Sequence, residues 1–149
     1  VARITAARLA RRVLDSDEMI EQRTGRTVRE IFAEDGEPAF RTLENEALRV
    51  ALASDEPAVI AAAGGAVLNP DNRAALKASN AHVVWLCADT ATLLQRIHSA
   101  DHRPLLDDDP AGTLQRMFRE REALYREVAN AIVIVDQRSV DEVVEAVLA

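Results

Sequence analysis

A chain of 149 residues, 48% apolar and 29% charged, is long enough to bury a core and ordinary in composition for a globular domain. Its formal net charge of −7 argues against nucleic acid as a partner, because phosphate backbones are held by basic surfaces. A small anion gripped by a few local arginines stays compatible with it. No run approaches the roughly 20 apolar residues of a bilayer span, so no membrane association is expected, and no signal-peptide pattern opens the chain. The single cysteine, Cys87, excludes an internal disulfide and fits a reducing, cytoplasmic setting.

Residues 1–12 (VARITAARLARR) are helix formers without a breaker, which predicts a helix. Val13-Leu14-Asp15 reads as a strand tip, and residues 16–25 as a helix capped by Asp15 or Ser16 and stopped at Gly25. Thr27 and Glu30 form a capping box, predicting a second short helix that ends near Gly36. Pro38 then opens a long amphipathic helix to about Ala53, with Phe40, Leu43, Ala47 and Ala51 at helical spacing. Residues 58–62 read as a strand closing on the Gly64-Gly65 turn, 69–79 as a helix and 82–87 as a strand.

Asp89 caps a further helix to about His98, and the acidic, proline-containing stretch 99–112 reads as a mobile surface loop. A helix over 113–128, a strand over 132–135 and a last helix opened by the Ser139–Glu142 capping box complete the chain. Val143, Val144, Val147 and Leu148 form its buried stripe. Strands alternating with helices predict one α/β domain, 1–149, built on a parallel sheet with helices on both faces.

Ligands of such sheets bind beyond the carboxyl ends of the strands, so the residues there are the first candidates. Asp15 and Asp17 can divide labour, one near a water-shelled Mg2+ and the other accepting from a substrate hydroxyl; equally, one of them simply caps a helix. Glu44 lies three residues beyond Arg41, which allows a surface ion pair or a carboxylate that orients the guanidinium to clasp an anion. Gly64-Gly65 is either a plain turn or a place where main chain approaches a ligand. Arg103 is a solvated loop charge or one that closes over phosphates. Arg121 sits in a charged run (Arg116, Arg119, Glu120, Arg121, Glu122), and periodicity does not settle which arginine points inward. His82, His98, His102 and Cys87 have no zinc-ligand spacing.

The order of these signals is more specific than any one of them. Leu14 to Glu44 (LDSDEMIEQRTGRTVREIFAEDGEPAFRTLE) resembles the substrate-binding segment of shikimate kinases. The similarity continues through Gly64–Val67 (GGAV), Arg103–Leu106 (RPLL), Arg121–Ala129 (REALYREVA) and Arg138–Val144 (RSVDEVV), and so covers essentially the whole chain. The resemblance implies a P-loop kinase-like three-layer α/β/α fold, a substrate-binding segment at about 14–53 and a mobile lid at about 98–112. It implies transfer of the γ-phosphoryl group of ATP, with Mg2+, to the 3-hydroxyl of shikimate in chorismate and aromatic amino-acid biosynthesis, by a cytoplasmic monomer. Asp15 would lie near the metal. Asp17 would bind the hydroxyls and act as base, and Arg41 and Arg121 would grip the carboxylate. Gly64 and Gly65 would face the ring, Arg103 would neutralise the transferring phosphate, and Arg96 and Arg138 would flank the adenine.

Two departures accompany the resemblance. Ala63 stands where the family usually has a third glycine. The family also carries a strand and a G-x-x-x-x-G-K-[ST] loop before the helix that here opens at Val1, a motif found nowhere in these residues. Strand and loop together are roughly 13 to 15 residues. The expectation is an N-terminally incomplete part of a larger protein, lacking a central strand and inactive alone. The competing readings are a kinase for gluconate or a nucleoside monophosphate, and a non-catalytic shikimate-binding module. Asp17, Arg41 and Arg121 favour a hydroxylated carboxylic acid; Asp15, Arg103 and Arg138 would be idle in a pure binder.

Overall fold

The computed structural model describes residues 1–97 and 109–149. Arg103 and residues 98–108 of the expected lid lie outside them. The order is α1 (Ala2–Arg8), β1 (Arg12–Asp15), α2 (Ser16–Thr24), α3 (Val28–Leu52), β2 (Ala58–Ala61) and a 3-10 turn (Gly64–Leu68). Then follow α4 (Pro70–Ala78), β3 (Val84–Cys87), α5 (Thr90–Ile97), α6 (Pro110–Val128), β4 (Ala131–Ile134) and α7 (Val140–Leu148).

The helix starts are local chemistry. The Glu30 amide donates to the Thr27 hydroxyl at 3.2 Å, and the Thr27 amide donates to the Glu30 carboxylate at 2.7 Å. Ser139 and Glu142 repeat the exchange at the start of α7. Each box satisfies two amides that the first helical turn leaves without partners. Thr27→Ala is therefore expected to cost about 1 kcal/mol, read as a lower urea midpoint with an unchanged slope. An unchanged midpoint would show the box to be idle.

At Gly36 the chain adopts φ 84 and ψ 172, a break inside α3, and Pro38 sits just beyond it. Only glycine takes that backbone geometry cheaply, and proline tolerates the opening turn of the next segment because its missing N–H would have no partner there. The two helices expected on either side of Gly36 are thus present, joined end to end.

Two boundaries differ from expectation. The first helix ends at Arg8 rather than near residue 12, since Ala10 takes φ 51 and turns the chain into β1. No residue type announces that break. The helix expected from Thr113 begins at Pro110, where the Asp109 carboxylate accepts from the Gly112 amide at 3.2 Å. The last residues of the acidic stretch are therefore helix, not loop.

β1 pairs parallel with β2, Asp15 beside Ala61, and β3 pairs parallel with β4, Cys87 beside Ile134. Parallel neighbours need helical crossovers: α2 and α3 make the first, α5 and α6 lie within the second. The described strands thus form two pairs rather than one ladder. Val59, Ile60 and Ala61 of β2 and Val84, Trp85 and Leu86 of β3 line one cleft of about 2130 Å3. Each pair has its own apolar cluster nearby. Ile20, Ile31, Phe40 and Ala47 pack between α2 and α3 with Met19, Phe32 and Leu43 against them. Ala88, Val133, Val135 and Val143 pack under α7 with Val84, Leu93 and Val147.

Candidate active site

The C-terminal end of β1 delivers Asp15, Ser16 and Asp17 in succession. Asp15 is the cap of α2: its Oδ1 accepts from the amides of Asp17 and Glu18 at 3.0 and 3.3 Å. Asp17 follows in the first turn of α2 and lines the cleft. Ser16 is buried, and its hydroxyl accepts from the Ala63 amide at 3.1 Å, 47 residues away. That bond fixes the turn after β2 to the end of β1.

Arg41 is no surface residue paired with a surface carboxylate. Its Nη1 donates to both oxygens of Glu44 at 3.0 and 2.9 Å, and Glu44 is 1% exposed. The second nitrogen, Nη2, donates to Glu37 at 3.2 Å. Burial pushes the Glu44 carboxyl above the ordinary range, opposed by the hydrogen bond and charge of Arg41. Asp17 adds to the rise and Arg121 opposes it, so both lie within electrostatic reach of Glu44.

The glycine turn lies between the two arginines. A Cβ at Gly65 would fall 2.5 Å from Arg41 Cζ and 2.7 Å from its Nη2, so the guanidinium rests directly on the Gly65 main chain. On the other side, a Cβ at Gly64 would lie 3.6 Å from Arg121 Nη1. Arg121 is 7% exposed, and its Nε is buried without a hydrogen-bond partner among the described residues. A buried cation with an unmade donor is costly unless an anion completes it. Of the charged run on α6, Arg121 is thus the residue that points inward; Arg116, Arg119 and Glu120 are exposed or half-buried.

Asp17, Arg41, Gly64, Gly65 and Arg121 therefore line one cleft, with Asp15 at its edge in the cap of α2. Arg96 and Arg138 gather elsewhere. Arg96 Nη2 approaches the Val135 carbonyl at 3.5 Å, and the Arg138 amide donates to the same carbonyl at 3.3 Å, beyond the end of β4. No group of three or more metal-ligating side chains occurs among the described residues.

Sequence reasoning missed the residues that hold the turn. Ser16 bonds Ala63; Asn72, fully buried, donates to the Ala66 carbonyl at 3.0 Å and to Asn45 at 2.7 Å; the Tyr125 hydroxyl donates to the Gly64 carbonyl at 2.8 Å. Only the polarity of Asn72 within an otherwise helical pattern could have hinted at a buried partner.

The architecture is that of solved small-molecule kinases of the α/β class. A shikimate kinase from Acinetobacter baumannii, solved in complex with shikimate, superposes with a TM-score of 0.92 at 35% identity, covering 99% of this chain and 82% of that one. The Bacteroides thetaiotaomicron shikimate kinase superposes with a TM-score of 0.84 at 27% identity, covering 97% and 86%. The shikimate kinase family model matches residues 1–149. Shikimate kinases of Streptomyces coelicolor and Thermobifida fusca are each 41% identical over 99% of this chain and 85% and 84% of their own lengths. The chain belongs to the shikimate kinase family, whose members are phosphotransferases. No helix among the described residues is long and apolar enough to cross a membrane.

Proposed function

We propose that this protein transfers the γ-phosphoryl group of ATP to the 3-hydroxyl of shikimate, in the cytoplasm, as one domain and as a monomer, on the route to chorismate and the aromatic amino acids. The observation that carries this is the pair of guanidinium groups flanking the glycine turn. Arg41 is held by buried Glu44, and Arg121 is buried with an unmade Nε donor. Two forks on either side of one turn, in a chain of net charge −7, make a local receptor for one carboxylate. The complex of the Acinetobacter enzyme supports shikimate as the acid that fills it.

The chain's own residues supply positioning and charge. Arg41 and Arg121 bind the carboxylate, and the Gly64-Gly65 main chain faces the ring. Asp17 accepts the proton of the attacking hydroxyl. Phosphoryl transfer needs mainly such alignment and stabilisation of spread negative charge. ATP is the phosphoryl donor and magnesium neutralises its charge. Magnesium takes one or two carboxylates beside water and phosphate oxygens. Asp15, through the oxygen that does not cap α2, suits that demand. Arg96, whose side chain approaches the Val135 carbonyl, and Arg138, whose main-chain amide bonds the same carbonyl, suit the base of the nucleotide. Arg103, in the lid segment, suits the transferring phosphate.

The test is ADP release with MgATP and shikimate, gluconate or a nucleoside monophosphate, on the protein as its gene encodes it. Turnover with shikimate alone is expected in the gene product. Turnover with gluconate or a nucleotide instead would sink the acceptor assignment. ATP binding absent from the gene product would leave a shikimate-binding module. Asp17→Asn should lower kcat by about 10²- to 10⁴-fold; an unaltered kcat would remove Asp17 as the base.

A further inference from the structure

The turn that faces the proposed ring of the substrate has bonds of its own, among them the Ala66 amide donating to the Ala63 carbonyl at 3.1 Å. Its 3-10 segment has five residues, and such short segments have poor internal bonding geometry. Side chains from other elements fasten it further, and from α6 the Tyr125 hydroxyl donates to the Gly64 carbonyl at 2.8 Å. Tyr125 follows Arg121 by four residues on α6, so the two share a face of the helix. Helix and turn therefore meet at two points on one glycine: the Arg121 guanidinium beside its Cα and the Tyr125 hydroxyl on its carbonyl.

The Tyr125 ring is itself held. It stacks on Trp85 of β3 with centroids 5.2 Å apart and planes at 28°, and the Arg126 guanidinium lies over the Trp85 ring at 5.5 Å. Stacking fixes the ring plane and thereby the place of the hydroxyl. Arg121 is different: a long side chain whose Nε has no hydrogen-bond partner among the described residues.

We propose that Tyr125 is a positioning residue of the acceptor site: through Gly64 it sets the spacing between the glycine turn and Arg121, with Trp85 as its back support. The inference rests on the acceptor reading above and assigns Tyr125 no contact with the reacting atoms. Ser16 and Asn72 fasten the flanks of the same turn, at Ala63 and Ala66. Those two bonds hold the turn to the start of α2 and to α4, whereas that of Tyr125 holds it to the helix bearing Arg121.

Tyr125→Phe isolates the hydroxyl and keeps the stacked ring. In the protein as its gene encodes it, the variant is expected to weaken shikimate binding by about five- to tenfold in calorimetry, the range of one hydrogen bond. Its shikimate KM should rise by the same factor, with the KM for ATP and the melting temperature close to those of the parent. Tyr125→Leu, which also loses the stack on Trp85, should weaken shikimate binding further. A purely structural role would lower the melting temperature and leave shikimate affinity intact, and that result overturns the proposal. So does equal loss of affinity for shikimate and ATP. A parent that binds ATP but no shikimate would overturn the acceptor reading together with this inference. A parent that binds shikimate as well as Tyr125→Phe does would overturn the inference alone.

Discussion

Arg41→Ala should raise the shikimate KM about a hundredfold while sparing ATP affinity, because a fork that makes two charge-assisted bonds is lost. The same change strands Glu44, which is 1% exposed. Removing one partner of a buried ion pair costs about 3 to 5 kcal/mol when the other stays charged. Glu44 has an escape, since burial already pushes its carboxyl upward and the Arg41 hydrogen bond and charge are the main forces pulling it down. Without Arg41 the rise is larger. A carboxyl raised in the folded state keeps a proton that the unfolded chain has released, so stability is lost as pH climbs from the ordinary carboxylate range through the raised value. The deficit of Arg41→Ala should therefore be small in acid and grow toward neutral pH, as urea unfolding across that range would show. A deficit independent of pH would contradict the buried pair, and an unchanged shikimate KM would remove Arg41 from the site.

Gly65→Ala should abolish most shikimate binding without touching a substrate group. Its methyl would fall 2.5 Å from Arg41 Cζ, closer than carbon atoms tolerate, and the guanidinium is the movable partner. Moving it breaks both bonds to Glu44. The variant should thus reproduce the loss seen in Arg41→Ala. The double variant should be no worse than either single one, as expected for two residues acting through one contact. Additive losses in calorimetry would show Gly65 to act independently of Arg41. Gly64→Ala is a useful contrast: its methyl meets the Tyr125 hydroxyl at 2.9 Å and Arg121 Nη1 at 3.6 Å, so it tests the α6 side of the turn.

Much of the architecture was legible because its signals are local. The Thr27 and Ser139 capping boxes, the Gly36–Pro38 break and the apolar periodicity each lie within a few residues. The end of α1 was not legible, since Ala10 carries no mark of its positive φ. The start of α6 is hidden because Asp109-Pro110 continues the acidic stretch, although aspartate before proline is itself a helix opening. At the site, the i, i+3 spacing of Arg41 and Glu44 was visible, but their burial was not: it depends on what packs over α3. The bonds Ser16–Ala63 and Tyr125–Gly64 join residues 47 and 61 positions apart. No window of sequence contains such a pair, and the family resemblance supplied ligand-facing residues rather than the scaffold behind them.

Trp85 is the only tryptophan in the chain, and it stacks on the ring that reaches Gly64. Its emission is therefore a built-in optical gauge, read without a label or a second fluorophore. Any ligand that shifts α6 against β3 changes the surroundings of this one indole, while events confined to α2 and the first half of α3 leave its emission unchanged.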